Sequence, residues 1–193
     1  MKKILTLFVA IFAITNLWAY DFQSGDLYYN VTSDCAPYTA EVTYQKLSSK
    51  GNYTGMTDVI IPESVTHNNI TYSVTKIGEA AFYGCSSLIS VHIPNTIIAI
   101  DLLAFYDCSS LATINIPNSV IKIGADAFED TELYNNKENW DNGALYIDSC
   151  LIRADYYITG NYTIQEGTRL LASHAFGYCD SITSVSMPHS VRY

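Results

Sequence analysis

The residues of this chain best suited to chemistry are its five cysteines. Cys85, Cys108 and Cys179 occupy one position of a repeated Ala-Phe-x-x-Cys motif. Because a cysteine at a repeated interior position acts as a small apolar filler with a weak S–H donor, we interpret these three as core residues. A disulfide between Cys85 and Cys108 stays open as an alternative, since neighbouring strands lie about 4.8 Å apart. Cys35 and Cys150 lie outside the motif and are expected to be free thiols.

The histidines and carboxylates do not form the pattern of a catalytic or metal site. A hydrolase nucleophile requires a base in contact with it, and His92 is expected on the opposite side of its repeat from Cys85. The sequence contains no Cys-x-x-Cys pair and no histidine cluster at ligand spacing, so a structural zinc site is not expected. The acidic residues at 126–132 lack the spacing of a calcium-binding loop. The sequence therefore predicts no catalytic residue, no cofactor and no metal.

The elements that position these residues are set by an internal repeat. Residues 77–99 and 100–122 are identical at twelve of 23 aligned positions. Phe82, Phe105 and Phe128 are each 23 residues apart, and a fourth copy of the motif begins 48 residues later. Such self-similarity is typical of an array in which each copy packs on its neighbours.

Each copy carries a short strand. Its apolar residues follow the spacing L-x-x-V/I-x-I, as in Leu88, Val91 and Ile93, and the final alternation is typical of a strand with one buried face. The proline that follows, Pro94 in this copy, ends the strand because it lacks an N–H group. So short a strand cannot bury its own side chains. We therefore expect the copies to stack, with parallel strands and with the phenyl rings in one file.

The segments IGEAAFYGCSSLISVHIPNTI and AFYDCSSLATINIPNSVIKIG closely resemble the BspA-like leucine-rich repeat, whose core is A-F-x-x-C-x-x-L-x-x-I-x-I-P. The resemblance covers roughly residues 57–193. It implies a mainly β fold, a right-handed leucine-rich-repeat solenoid with one short parallel strand per 23-residue coil. It also implies a bacterial surface or secreted protein, because known members are largely of this kind and several are implicated in adhesion.

Two hairpins are expected to interrupt the array. Extra residues after Val65 surround Asn68-Asn69, which predicts a two-residue turn because asparagine tolerates positive φ. Residues 145–152 suggest a second hairpin around Asp148-Ser149, within a degenerate copy at about 129–161.

The amino-terminal part of the chain is organised differently. Residues 1–19 combine a positive start with an apolar run that is short for a bilayer span, which is typical of a secretory signal peptide; an uncleaved membrane anchor is the alternative. Residues 20–56 are rich in tyrosine, and the strand-like stretches 28–31 and 40–44 suit an N-terminal β cap. The leucine-rich repeats then occupy residues 57–193, and the C-terminal end is expected to be uncapped.

Composition and charge exclude two kinds of protein. Hydrophobic residues make up 49% of the 193 residues and charged residues only 15%, so a solvated disordered chain is excluded. The formal net charge of −9 at pH 7 repels phosphate groups and anionic lipid. Nucleic acid is therefore not an expected partner, and no membrane span is expected after signal cleavage.

The outward-facing strand residues are the first candidate for a binding surface, because a repeat array presents them as one extended face. They are small and mostly uncharged, and an ordinary solvated β-surface is the alternative. Tyrosines are the second candidate, including the repeat-phased Tyr83, Tyr106 and Tyr178, although a packing ladder is the competing interpretation. The candidate binding face consists of Asp58, Ile60, Ser90, His92, Thr113, Asn115, Thr163, Ser184 and Ser186.

These observations favour a secreted or cell-surface leucine-rich-repeat protein that mediates non-catalytic protein binding or adhesion. Host extracellular proteins or other cell-surface proteins are the expected partners. The alternative function is that of a structural spacer module within a larger surface protein. Self-association through the uncapped C-terminal end is a further expectation.

Overall fold

The computed structural model of the protein describes residues 19–46 and 53–192. Over these residues the chain is mainly β, with sixteen strands, one four-residue α-helix and one three-residue 3-10 helix. Apart from its last position, the predicted signal peptide lies outside the described residues. Within the described ranges, no helix is both long enough and apolar enough to cross a membrane.

The amino-terminal residues form part of a seven-stranded sheet together with the first repeats. The predicted strands at 28–31 and 40–44 are confirmed, and the second of them runs parallel to a repeat strand, with Val42 opposite Ile77. The strands of this sheet are β1 (Phe22–Ser24), β2 (Leu27–Ser33), β3 (Thr39–Thr43), β5 (Ser64–His67), β6 (Ile70–Ile77), β8 (Ala99–Ile100) and β10 (Lys122–Ile123).

The first predicted hairpin is confirmed between β5 and β6, which are antiparallel. Asn68 and Asn69 form its turn with φ values of 49° and 62°. Asparagine is one of the few residues that tolerate this left-handed conformation, which is why the pair could be recognised from the sequence.

A second sheet of three parallel strands collects the motif predicted from the repeat spacing. Its strands lie in the order β4 (Asp58–Ile60), β7 (Ser90–His92) and β9 (Thr113–Ile114). Ser90 lies opposite Thr113, so neighbouring copies are in register with an offset of 23 residues. Val59 and Val91 are buried while Asp58, Ile60 and His92 are exposed, as the alternation predicts.

The expectation of one strand per repeat was incomplete, because each of the two clearest copies contributes a second short strand. Ala99–Ile100 pairs in parallel with Lys76–Ile77 on one side and with Lys122–Ile123 on the other. A two-residue strand is too short to show alternation, so periodicity could not predict it.

The phenyl rings stack in one file, as predicted. The ring centroids of Phe82 and Phe105 are 5.2 Å apart with planes inclined by 5°, and those of Phe105 and Phe128 are 5.5 Å apart at 10°. All three side chains are fully buried. The backbone reinforces this register, because Phe82 N donates to Ala104 O and Phe105 N donates to Ala127 O, each at 2.8 Å. The copies therefore repeat in backbone hydrogen bonding as well as in side-chain packing.

The turn around each phenylalanine has the same backbone conformation in successive copies. Residues with positive φ recur two positions before the phenyl ring and two positions after it. The copy around Phe128, which precedes the insertion, and the last copy, which follows it, keep both positions, so the alignment across the insertion is structurally sound. The residues concerned are Ala80, Leu103, Asp126 and His174 at the first position, and Gly84, Asp107, Asp130 and Tyr178 at the second.

The second predicted hairpin is also confirmed, and its strands join a larger sheet. Its strands belong to a four-stranded sheet in which the second hairpin strand runs parallel to a strand of the following copy. The sheet contains β11 (Trp140–Asp141), β12 (Ala144–Ile147), β13 (Cys150–Ala154) and β15 (Leu170–Leu171). The helix α1 (Glu132–Asn135) and the 3-10 helix (Lys137–Asn139) precede it, and Thr131 caps α1 by accepting a hydrogen bond from Tyr134 N at 3.1 Å.

Two charged residues fasten the inserted segment and the copy that follows it to the preceding repeat. Asp148 Oδ2 accepts a hydrogen bond from Ile116 N at 2.7 Å. The Arg169 guanidinium donates to Val120 O at 2.6 Å and to Pro117 O at 2.9 Å. Arg169 thus satisfies backbone carbonyls of the preceding repeat at the place where the insertion interrupts the array.

The last described copy is covered less completely. Its strand β16 (Ile182–Ser186) pairs in parallel with β14 (Gly160–Thr163) in a separate two-stranded sheet. Phe176 is half-buried and packs edge-on against Tyr162, at 5.6 Å and 70°, instead of stacking on Phe128. Val185 is 38% exposed and Met187 is 51% exposed, whereas their counterparts in the earlier copies, Val91 and Ile93, are buried.

Candidate functional site

The predicted binding-face residues lie on two separate sheets. Eight of the nine are exposed, and Ser90 is half-buried. We call one group the first strip, which consists of Asp58, Ile60, Ser90, His92, Thr113 and Asn115 on or directly after β4, β7 and β9. The other group, the second strip, consists of Thr163, Ser184 and Ser186 on β14 and β16.

The first strip is a row of side chains in strand register. Asp58 lies opposite Ser90, Ile60 opposite His92, and Ser90 opposite Thr113. The Asp58 carboxylate accepts hydrogen bonds from the hydroxyls of Ser90 and Thr57, and these bonds hold the pKa of Asp58 below its ordinary value. The strip therefore carries a negative charge at one end, next to the exposed Ile60 side chain.

The second strip is smaller, and one of its hydroxyl groups is hydrogen-bonded to a neighbouring side chain. Thr163 lies opposite Ser186, and Asn161 lies opposite Ser184. Asn161 Oδ1 accepts a hydrogen bond from the Ser184 hydroxyl at 2.8 Å. Sequence reasoning missed Asn161, although its position two residues before Thr163 on one exposed strand face was a sufficient signal.

The insertion explains why one predicted face became two. Among the described strands, β9 pairs only with β7, and β14 pairs only with β16. The degenerate copy places its own strands β11, β12 and β13 in a different sheet. The repeat spacing indicated where repetition resumes, but it could not indicate that the strand face would be broken between the two strips.

The tyrosines divide into a packing ladder and an exposed cluster. The rings of Tyr83 and Tyr106 stack at 5.3 Å and 8°, which supports the packing interpretation for these two. Tyr178 is different, because it is 80% exposed and the Arg153 guanidinium lies 5.8 Å from its ring centroid. Tyr156 and Tyr157 are exposed too, with ring centroids 4.0 Å apart.

A lysine over an aromatic pair completes the exposed cluster, and the sequence did not reveal it. Lys137 Nζ lies 3.4 Å from the Trp140 ring centroid, and Trp140 packs edge-on against Tyr134 at 5.3 Å. The Trp140 indole N–H donates to Tyr134 O at 2.8 Å. The loop at 136–142, which reads as polar in the sequence, is therefore organised around one tryptophan.

The cysteines are positioned for packing. Cys85, Cys108 and Cys150 are buried, Cys179 is half-buried and Cys35 is exposed, and the five residues form no disulfide with one another. Cys108 Sγ donates to Phe82 O at 3.0 Å, and burial raises the pKa of its thiol far above the ordinary value. Burial raises the pKa of Cys150 to about 11. Since the thiolate is the nucleophile, neither thiol is activated at neutral pH.

The described residues also hold no cluster of three or more His, Cys, Asp or Glu side chains arranged to bind a metal ion. His92 is exposed on β7, whereas Cys85 is buried in the core.

A groove that sequence reasoning missed lies beside the first strip. It is bounded by the β1–β2 turn at residues 24–27, by β4 and by β5, and its volume is about 540 Å³. It includes Asp58 and Ile60, so it is continuous with the first strip. No single segment carries a pattern for it, because it forms where residues 30 or more positions apart come together.

Comparison with known proteins identifies the family that the repeats match. Residues 52–140 and 155–193 match the model of the BspA type leucine rich repeat region, in six copies. The gap between the two matched ranges falls within the inserted segment. No curated protein sequence matches the chain.

Solved structures of bacterial leucine-rich repeat proteins are similar to this chain. A leucine-rich repeat protein from Bacteroides ovatus is 28% identical over 90% of this chain and 43% of its own, with a TM-score of 0.52. A leucine rich cell surface protein from Faecalibacterium prausnitzii is 27% identical over 88% of this chain and 43% of its own, with a TM-score of 0.49. The T. pallidum leucine rich repeat protein is 22% identical over 86% of this chain and 70% of its own, with a TM-score of 0.51. The chain thus spans less than half the length of the first two relatives.

Proposed function

Because the chain belongs to the BspA-type leucine-rich repeat family, we propose that it is a secreted or cell-surface protein that binds other proteins without catalysing a reaction. The observation that carries this proposal is the first strip, in which successive copies align mostly polar and mostly exposed side chains in one row. A row of repeated positions is the kind of extended surface on which repeat proteins bind partners.

The architecture that supports this role is a right-handed leucine-rich-repeat solenoid. The 23-residue offset in strand pairing and the phenyl file at 5.2 Å and 5.5 Å support stacked coils. In this proposal residues 20–56 act as the N-terminal cap and residues 57–193 as the repeat region. The parallel pairing of β3 with β6 supports the capping role, because it covers the edge of the first repeat strand.

Export is part of the same proposal. The apolar segment 1–19 supports it through its signal-peptide pattern, and membership of the family supports it through the resemblance to bacterial surface proteins. Host extracellular proteins and proteins of other cell surfaces are the proposed partners.

A structural spacer is the second candidate function. One observation favours it: the Ser184 hydroxyl of the second strip is paired with Asn161, so this strip offers fewer polar groups to a partner. A spacer would present another part of a longer protein and would need no contact through the first strip.

The experiment that tests binding compares the full chain with a first-strip variant, His92→Arg/Thr113→Arg. The matched control is Ile98→Arg/Ile121→Arg, which adds the same charge at exposed positions outside both strips. Each protein is applied to immobilised extracellular-matrix proteins and to intact cells. Saturable binding by wild type and control, with at least a tenfold loss in the strip variant, supports the proposal. Equal binding by all three proteins, or no binding by any of them, contradicts it and favours the spacer.

A further inference from the structure

The groove beside β4 has an open strand edge along it. In the described structure β4 is the outer strand of its sheet, with β7 as its one neighbour. Ser90 N donates to Thr57 O and Ile61 N donates to His92 O, each at 3.1 Å, so the backbone groups of Thr57 and Ile61 face β7. Because successive residues of a strand direct their backbone groups to alternate sides, the N–H and C=O groups of Asp58 and Ile60 point away from β7, to the open edge of a strand whose residues line the groove.

The size and lining of the groove fit a chain segment. Its volume of about 540 Å³ lies within the roughly 300–1,000 Å³ range of ligand sites. Ile60 is 76% exposed and presents an apolar side chain at its edge, and Met56 and Pro62 extend the apolar lining. An exposed strand edge with adjacent side-chain pockets is the arrangement that recognises peptides by strand addition.

The negative charge of the groove favours positively charged peptides over acidic ones. Asp26 and Asp58 line it, and the described lining residues include no lysine, arginine or histidine. Hydrogen bonds from Ser90 and Thr57 favour the ionised form of Asp58. The chain as a whole carries a formal charge of −9, which attracts cationic partners from a distance. Acidic peptides are disfavoured for the same reason.

We propose that this groove binds an extended peptide segment of a partner protein, rich in lysine or arginine, that adds a strand to the open edge of β4. The inference rests on the proposed protein-binding function and names a site and a partner chemistry for it. Backbone hydrogen bonds to Asp58 and Ile60 hold the segment, and the carboxylates of Asp26 and Asp58 select its positive charge.

The test uses the full chain and a fluorescein-labelled nine-residue peptide of alternating lysine and valine. One comparison peptide replaces lysine by glutamate, and another carries N-methyl groups on alternate residues, which blocks pairing along one edge and keeps the charge. We expect the lysine peptide to bind saturably and the glutamate peptide to bind at least tenfold more weakly. We also expect at least a tenfold loss on N-methylation, because the two hydrogen bonds that the peptide donates to Asp58 O and Ile60 O are removed.

Variants of the protein locate the site. Asp26→Asn and Asp58→Asn are each expected to weaken binding about twofold to fivefold, in the range of exposed ion pairs. Glu166→Gln, a matched charge change on an exposed turn outside the groove, is expected to leave it unchanged. Bound peptide should also slow hydrogen exchange at the amides of Asp58 and Ile60. Equal affinity for the methylated and unmethylated peptides, or equal binding by all variants, overturns the inference.

This result is separable from the test of binding through the first strip. If the lysine peptide does not bind while His92→Arg/Thr113→Arg loses matrix binding, the groove inference is wrong and the proposed function stands. If the peptide binds as expected and the strip variant keeps full matrix binding, the groove is supported and the role of the strip is contradicted.

Discussion

Removing one ring from the phenyl file should have an effect that depends on its stacked neighbours. Phe105 is fully buried, with Phe82 at 5.2 Å on one side and Phe128 at 5.5 Å on the other. Truncating a buried phenylalanine to alanine costs about 3–5 kcal/mol of unfolding free energy, and a stacked pair contributes about 0.5–1.5 kcal/mol beyond its buried area. We therefore expect Phe105→Ala to cost about 4–5 kcal/mol, a large part of the stability of an ordinary domain.

Because so large a loss could unfold the protein, the quantitative test uses leucine substitutions. Phe82→Leu, Phe105→Leu and the double variant are unfolded in urea, and the coupling free energy is obtained from the cycle. We expect a coupling of about 0.5–1.5 kcal/mol between Phe82 and Phe105. The control cycle pairs Phe105→Leu with Phe176→Leu, whose ring packs against Tyr162, and should give a coupling near zero. Equal coupling in the two cycles would show that stacking adds no specific stabilisation between Phe82 and Phe105.

Four further predictions follow from other contacts. Arg169→Lys should cost about 1–2 kcal/mol in urea unfolding, because lysine cannot reproduce the paired donations to Val120 O and Pro117 O; an unchanged midpoint contradicts the fastening role. Gly124→Ala should lower the free energy of unfolding by about 2–3 kcal/mol, since a methyl group there overlaps the Leu102 backbone. A variant as stable as the wild type would show that the Leu102 backbone can move aside without cost. Asn69 has a φ of 62°, so Asn69→Ala should lower the free energy of unfolding by about 1 kcal/mol, whereas Asn69→Gly should leave it unchanged or raise it. A glycine variant less stable than the alanine variant would contradict the left-handed turn. At pH 8 a thiol reagent should label the exposed Cys35 quickly and the buried Cys108 and Cys150 only after unfolding; fast labelling of all three would contradict the burial of the last two. Because folding raises the thiol pKa values of Cys108 and Cys150, the free energy of unfolding should fall as the pH rises above about 9.

The repeat made much of the fold predictable from the sequence. The file of Phe82, Phe105 and Phe128 follows from a fixed 23-residue spacing, since residues at equivalent positions of stacked copies must meet. The Asn68-Asn69 turn follows from a local conformational preference that needs no tertiary information. Both features depend on short-range chemistry repeated along the chain.

The parts that escaped prediction depend on contacts between distant segments. The second strand at Ala99–Ile100 is two residues long and carries no periodic signal. The candidate binding face is divided because β13 pairs with β15, so the strands of the inserted copy belong to a different sheet. The groove at β4 requires the β1–β2 turn to lie beside a strand more than 30 residues away. No local pattern encodes such neighbours.

Hydrogen exchange on the full chain, free and bound to a matrix protein that it captures, tests binding through the strand face most directly. Binding through the first strip predicts slower exchange in peptides that contain residues 58–60, 90–92 and 113–114, the strands that carry the strip. Protection confined to the exposed cluster, in peptides that contain residues 137–140, 156–157 and 178, with no change in β4, β7 and β9, would contradict binding through the first strip.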